Sequence, residues 1–132
     1  MSTTITLTDT DKATLRTAAY GTVGLLAATG APHQGIGHAS IALTSATGLV
    51  GHILAAKTKD IHLNGKNVAE LADQVLPSLT AAMTLLAQHP GEADNFRDTI
   101  QVAVQAATQT GKNQPSPAVT AMAAKITTAL NA

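Results

Sequence analysis

The sequence contains no cysteine and no tryptophan, and it has only one tyrosine and one phenylalanine among its 132 residues. The absence of cysteine excludes disulfide bonds, thiolate metal sites and a cysteine nucleophile. With aromatic residues at 2%, the chain also lacks the stacking side chains that bind single-stranded nucleic acid. We therefore predict no nucleic-acid partner and a core built from alanine, leucine, valine and isoleucine.

Charged residues are also scarce, at 12% of the chain, and Lys plus Arg and Asp plus Glu number 8 each. This balance differs from the basic excess that is typical of nucleic-acid-binding proteins. A formal net charge of zero also removes the self-repulsion that separates highly charged molecules. The first residues show neither the basic start nor the apolar segment of a signal peptide, so the sequence predicts a cytoplasmic protein.

The segment from Thr17 to Ala56 contains no Asp, Glu, Lys or Arg, and we expect it to form the protein interior. An uncharged run of this kind is also found in membrane-spanning helices. The part from Ala39 to Ala56 is too polar for such a span, however, and no aromatic belt flanks it. We therefore expect no membrane association.

The high alanine content and the helical spacing of apolar residues predict an all-α fold. We expect one helical domain over residues 1–132, with residues 1–7 as a flexible N-terminal tail. Five periodic segments joined by short loops predict a single compact bundle of about five helices. The helices are predicted to begin at Thr8, between Pro32 and Gly37, at Asn67, after Gly91 and at Ser116, and the first four to end near Gly30, Lys57, Gln88 and Gly111.

Two of these helices have distinctive patterns. The second is predicted to be central, because it has no charge on either face and an apolar face opposite a small-residue face. The third is predicted to be kinked at Pro77, because its apolar stripe continues beyond a proline that cannot donate a hydrogen bond to the Asp73 carbonyl.

Glycines form ridges on the first two predicted helices, with Gly21 and Gly24 on the first and Gly48 and Gly51 on the second. Each interior glycine costs a helix about 1 kcal/mol relative to alanine, so glycines on one ridge indicate a close neighbour. We predict that these four residues mark a close helix-packing face. The neighbour is a helix of the same chain or of a second copy, which makes self-association an expected property.

The segment His33-Gln34-Gly35-Ile36-Gly37-His38 is the candidate ligand site. Two glycines at the start of a helix can leave backbone N–H groups facing an anion, with imidazoles nearby. His33, Gly35, Gly37 and His38 are therefore the candidate residues for binding an anionic or apolar ligand. The simpler alternative is a structural connection with solvated histidines, and glycine is common at helix starts for purely structural reasons.

No catalytic, cofactor-binding or metal-ligating residues are predicted. The five histidines contain no pair at a spacing of three or four residues and no cysteine lies near them, so we predict no metal site. His52 is expected to be a neutral core histidine that hydrogen-bonds a carbonyl group.

The few charged residues are predicted to lie on solvated, salt-bridged helix starts. Glu92, Asp94, Arg97 and Asp98 form one such group, which we interpret as a salt-bridged first turn and not as a general acid and base. The same interpretation applies to the N-terminal group, which comprises Asp9, Asp11, Lys12 and Arg16.

Three segments resemble a family of small all-helical actinobacterial proteins. They are Thr47-Gly48-Leu49-Val50-Gly51-His52-Ile53-Leu54, Ala93-Asp94-Asn95-Phe96-Arg97, and Ser116-Pro117 followed by Met122 and Lys125-Ile126. The resemblance covers most of the chain from the first helix onward and implies one helical domain. The family has no assigned activity or site, so the resemblance implies no function.

The sequence thus favours a non-enzymatic interaction or assembly module without a cofactor. The alternative is a small-ligand-binding protein that uses the segment from His33 to His38. An enzyme is disfavoured, because no nucleophile, base or metal site can be assigned.

Overall fold

The computed structural model describes residues 8–31, 33–55, 67–89, 91–108 and 116–131, apart from the side chains of residues 33, 49 and 55. These residues form six helices. They are α1 (Asp9–Thr29), α2 (His33–Thr44), α3 (Gly48–Ala55), α4 (Val68–Leu86), α5 (Glu92–Thr108) and α6 (Pro117–Leu130). All regular structure in the described ranges is helical, which confirms the predicted all-α bundle. The predicted flexible tail and the predicted loops at residues 57–66 and 111–115 lie outside these ranges.

Capping groups set the two ends of α1. The Thr8 hydroxyl accepts a hydrogen bond from the Asp11 amide at 3.0 Å, and the Asp11 carboxylate accepts one from the Thr8 amide at 3.1 Å. This reciprocal capping box satisfies two N–H groups that the helix itself leaves unpaired. Gly30 follows the last turn with φ at 118°, a left-handed conformation that favours glycine. Both predicted ends of the first helix are confirmed.

The starts of α4 and α6 use the same chemistry. The Asn67 side chain accepts a hydrogen bond from the Glu70 amide, and the Ser116 hydroxyl accepts one from the Val119 amide. Each cap pairs a backbone donor in the first turn of its helix. The starts predicted at Asn67 and Ser116 are therefore confirmed.

The predicted second helix is in fact two helices, and the prediction of one continuous helix is wrong. α2 ends at Thr44 and α3 begins at Gly48, where φ is +70°. A left-handed residue stops the helical path, and glycine adopts that conformation without steric cost. The apolar spacing continues across the break, so periodicity alone could not detect it.

The centre of the bundle is formed by α1 and α5 and not by the predicted second helix. α1 and α5 each pack against all five of the other helices, whereas α2 packs against α1, α3 and α5 only. Most of α1 from Leu15 to Leu26 is buried, while α2 has an exposed side that includes Gly37, His38 and Ile41. The uncharged exposed side of α2 misled the prediction, because lack of charge does not by itself bury a helix face.

α4 continues through Pro77 to Leu86. Its buried stripe of Val75, Leu79, Ala82 and Leu86 spans the proline. The prediction that Pro77 lies inside a helix is confirmed, and the kink at this residue stays a prediction.

One hydrophobic core joins all six helices. Its largest fully buried side chains come from every helix: Leu15, Leu25, Leu26, Leu43, Ile53, Leu54, Leu79, Leu86, Phe96, Ile100, Ile126 and Leu130. Within the described part of the chain, no helix combines the length and the apolar character needed to cross a membrane.

Candidate interaction surface

The structure places the predicted ligand segment in the first turns of α2. Gly35 is buried, and a Cβ atom added to it would lie 2.4 Å from the Ala107 carbonyl oxygen of α5. Gly37 and His38 are exposed, and the space around Gly37 is open. The His33 side chain lies outside the described atoms. Gly35 therefore allows α2 and α5 to approach closely, whereas Gly37 faces solvent.

The four glycines of the predicted packing face have different surroundings. Gly48 is exposed at the start of α3, and a Cβ atom added to it would lie 3.1 Å from Glu92 Oε2. Gly21 is buried in α1, while the half-buried Gly24 has no neighbouring atom within 4 Å of an added Cβ position. A Cβ atom on Gly51 would lie 2.0 Å from the Ala46 carbonyl oxygen. Gly51 therefore makes a close approach, but to the short link between α2 and α3 of the same chain.

One residue of the uncharged segment was assigned wrongly. His52 is exposed on α3, so the prediction of a core histidine is wrong. The buried residues of this short helix are Val50, Gly51, Ile53 and Leu54, which turn position 52 toward solvent. In the described residues, no three His, Asp or Glu side chains come together as metal ligands would, and His62 lies outside these residues.

Arg16 is buried, with 6% of its surface exposed, so the prediction of a solvated arginine is wrong. Its Nε donates a hydrogen bond to the Ile53 carbonyl oxygen at 3.0 Å, and the Tyr20 hydroxyl donates one to the Leu54 carbonyl oxygen. Both carbonyls belong to the last turn of α3, where a helix has unpaired acceptors and partial negative charge. Burial raises the pKa of Tyr20, and the nearby Arg16 charge opposes that rise.

Glu92 and Asn95 of α5 bind the opposite end of α3. Glu92 Oε1 accepts a hydrogen bond from the Val50 amide at 3.2 Å, and Asn95 Nδ2 donates one to the Thr47 carbonyl oxygen at 2.8 Å. The half-buried Glu92 carboxylate therefore lies at the N-terminal ends of both α3 and α5, where negative charge is favourable. The prediction that Glu92 is solvated is therefore wrong. The sequence alone could not reveal this, because it does not show that α3 starts beside Glu92.

The salt bridge predicted for this helix start is present. Arg97 Nη1 and Asp94 Oδ1 form an ion pair at 2.9 Å, and the Asp98 side chain is exposed. Arg97 Nε is buried and has no hydrogen-bond partner in the described part of the protein.

An open groove of about 470 Å³ runs between α4 and α6. Its lining residues are Leu76, Pro77, Thr80, Ala124, Lys125, Thr128 and Ala129. Most of this lining is apolar, and Lys125 is its only charged residue. The Thr80 hydroxyl donates a hydrogen bond to the Ala129 carbonyl oxygen at 2.9 Å, so a hydroxyl group that would make the groove polar is already paired.

A smaller cavity of about 280 Å³ lies near the C-terminal ends of α4 and α6. Its lining residues are Met83, Thr84, Ala87, Ala93, Arg97, Leu130 and Asn131. From the groove to the smaller cavity, the residue numbers of the lining rise on both helices: from 76–80 to 83–87 on α4, and from 124–129 to 130–131 on α6. The two helices therefore run parallel, with Pro77 at about the level of Lys125 and Thr80 near Ala129.

The exposed side of α6 continues from the wall of the groove and carries one charge, at Lys125. Its other exposed residues are small and neutral: Pro117, Ala118, Thr120, Ala121, Ala124, Thr127 and Thr128. The Thr127 and Thr128 hydroxyls donate to the carbonyls of Ala123 and Ala124 on their own helix. This side of α6 therefore presents small side chains and a single charge next to the apolar groove.

Comparison with known protein families, curated proteins and solved structures gives no match for the chain. The resemblance to small actinobacterial proteins and the cytoplasmic location therefore stay predictions.

Proposed function

We propose that this protein is a non-enzymatic interaction module that binds an apolar helical segment in the groove between α4 and α6. The observation that carries this proposal is the groove of about 470 Å³ with its largely apolar lining. Binding of an amphipathic helix in an apolar groove is a recurrent mode of recognition. Alanine and threonine at positions 124, 128 and 129 allow the backbone of such a helix to approach closely.

Binding is favoured over catalysis by the distribution of ionisable groups. Each of the two described cavities has one charged residue in its lining, Lys125 in the groove and Arg97 in the smaller cavity. General acid–base chemistry needs titratable groups positioned around one reacting centre. The driving force available in the groove is burial of apolar surface, at roughly 25 cal/mol per Å².

The alternative ligand site at His33, Gly35, Gly37 and His38 has less support. Gly35 is buried against the α5 backbone at Ala107, so there is no open space for a ligand beside its Cα atom.

The proposal is tested by nuclear magnetic resonance with methyl-labelled protein. The probe is a synthetic amphipathic peptide with leucine on one face and alternating glutamate and lysine on the other. We expect concentration-dependent shifts of the Leu76, Ala124 and Thr128 methyl groups, because these side chains line the groove. The Val102 methyl groups, exposed on α5, are expected to stay unchanged.

Two adjacent threonines provide a matched pair of variants. Both are exposed and both bond the carbonyl group four residues earlier, but only Thr128 lines the groove. Thr128→Lys places a long side chain and a second positive charge beside Lys125, so we expect affinity to fall about tenfold, equivalent to about 1.4 kcal/mol. Thr127→Lys is expected to leave affinity unchanged. Equal effects of the two variants, or shifts centred away from the groove, would contradict the proposal.

A further inference from the structure

We propose that the occupant of the groove is a second copy of this chain, in a two-fold dimer in which α6 of each copy lies in the groove of the other. This inference rests on the proposed function and names the partner for the same site. It makes the groove and the exposed side of α6 two halves of one interface.

The shape of the surface meets the requirement of a two-fold dimer, in which one patch must be complementary to itself. The patch combines a concave part, the groove, with a convex part, the exposed ridge of α6 at Ala121, Ala124 and Thr128. These two parts lie side by side, so a two-fold rotation places each ridge in the opposite groove. The order across the interface is then α4, the α6 of the partner, α6 and the α4 of the partner.

The charges beside the groove are also self-complementary. Lys125 lines the groove on α6, and Asp73 lies one turn before Leu76 and Pro77 on α4, on the same side of that helix. Both side chains are exposed, and neither has an ion-pair partner within the described residues.

A two-fold axis brings these two charges together across the interface. α4 and α6 run parallel, and Lys125 is level with Pro77. Asp73 precedes Pro77 by four residues, so it lies about 6 Å closer than Lys125 to the N-terminal ends of the two helices. A two-fold axis midway between the levels of Asp73 and Lys125 makes the partner's helices run in the opposite direction. It places Lys125 opposite the partner's Asp73. Symmetry creates a second, identical pair. The net charge of zero leaves no overall repulsion between the copies.

The expected dimer is a weak one. The paired helices α4 and α6 present a face roughly 20 Å long and 20 Å wide, from the rise per residue and the helix diameter. This footprint falls at the low end of specific interfaces. We therefore expect a concentration-dependent equilibrium between monomer and dimer, measurable by sedimentation velocity over a concentration series.

Charge reversal with mixing tests the proposed pairing. Lys125→Glu and Asp73→Lys, each alone, place like charges at both contacts and are expected to weaken association about tenfold or more. An equimolar mixture of the two variants is expected to recover wild-type association, because the heterodimer has opposite charges at both contacts. An effect of either substitution within a single chain could not produce that recovery on mixing. Circular dichroism verifies that each variant is folded.

The outcomes separate this inference from the proposed function. A wild-type protein that stays monomeric at millimolar concentration, or a mixture that associates no better than its components, overturns the second copy as occupant. Peptide binding in the groove would then still support the proposed function. If neither the charge reversals nor Thr128→Lys weaken the dimer, its interface lies on another surface and the inference is overturned. Absence of peptide binding in the groove overturns the proposed function.

Discussion

Gly35 and Gly37 lie two residues apart in α2, but a side chain would meet opposite surroundings at the two positions. At Gly35 a Cβ atom would lie 2.4 Å from the carbonyl oxygen of Ala107, a backbone atom that cannot move without shifting α5. At Gly37 there is no atom within 4 Å. One glycine is therefore required by packing, and the other only weakens its helix.

The two alanine substitutions are expected to have opposite signs. Gly35→Ala creates a clash with a packed helix and is expected to lower the free energy of unfolding by about 1–3 kcal/mol. Gly37→Ala raises helix propensity in open space and is expected to increase the free energy of unfolding by about 0.5–1 kcal/mol. Urea denaturation followed by circular dichroism measures both. Equal stability of the two variants would show that α2 does not approach α5 as closely as described.

Sequence patterns identify residues of this kind but not their partners. The glycine pair at the start of α2 was recognisable as unusual, yet the importance of Gly35 depends on Ala107, which is 72 positions away in the sequence. Arg16 shows the same limit. Its burial depends on the end of α3, whereas local charge around Asp9 and Asp11 indicated a solvated group.

At the scale of elements, α3 is an eight-residue helix bound at both ends by other helices. Glu92 accepts a hydrogen bond at its first turn, and Arg16 and Tyr20 donate to carbonyl groups of its last turn. So short a helix has little stability of its own in water. These contacts, together with burial of Ile53 and Leu54, are what stabilise it.

The Tyr20 contact predicts a specific alkaline titration. Tyr20 is the only tyrosine, so the ultraviolet absorbance of tyrosinate reports on this residue alone. Burial raises its pKa from 10.0, with the Arg16 charge opposing the rise, so we expect the folded protein to titrate above pH 10 and the urea-unfolded chain to titrate near it. A folded-state midpoint at or below the unfolded one would contradict the described contact.

The same shift has a defined sign for stability. Since the unfolded chain releases the Tyr20 proton first, the contribution of neutral Tyr20 is complete below pH 10 and is lost as the pH rises through the folded-state pKa. Tyr20→Phe is the control, because it removes this part of the alkaline decline while the lysine titrations remain. The variant also loses the hydrogen bond to Leu54, at about 1 kcal/mol.

Helix ends were predictable where a side chain or glycine acts locally. Thr8, Asn67, Ser116 and Gly30 each set a boundary through groups within a few residues, and each was assigned correctly. The break before Gly48 was not, because the groups that hold the new helix start, Glu92 and Asn95, belong to α5.

At the scale of the whole molecule, a single core links helices that are distant in sequence. α1 packs against every other helix, and the largest buried side chains come from all six. The all-α class followed from composition, but the groove between α4 and α6 could not be predicted, because it requires knowing that these two helices are parallel neighbours. A core shared in this way implies that the described helices unfold together.

Cooperative unfolding can be tested by placing the perturbation and the reporter on different helices. Ile126 of α6 is fully buried, so Ile126→Ala is expected to lower the free energy of unfolding by about 2–5 kcal/mol. Tyr20 of α1, the only tyrosine, reports by its fluorescence, and circular dichroism reports on all helices. We expect both signals to shift to lower urea concentration by the same amount, while Thr127→Ala, an exposed neighbour, shifts neither substantially. If Tyr20 kept its wild-type midpoint while the circular dichroism signal moved, α6 would unfold separately from α1 and the core would not be shared.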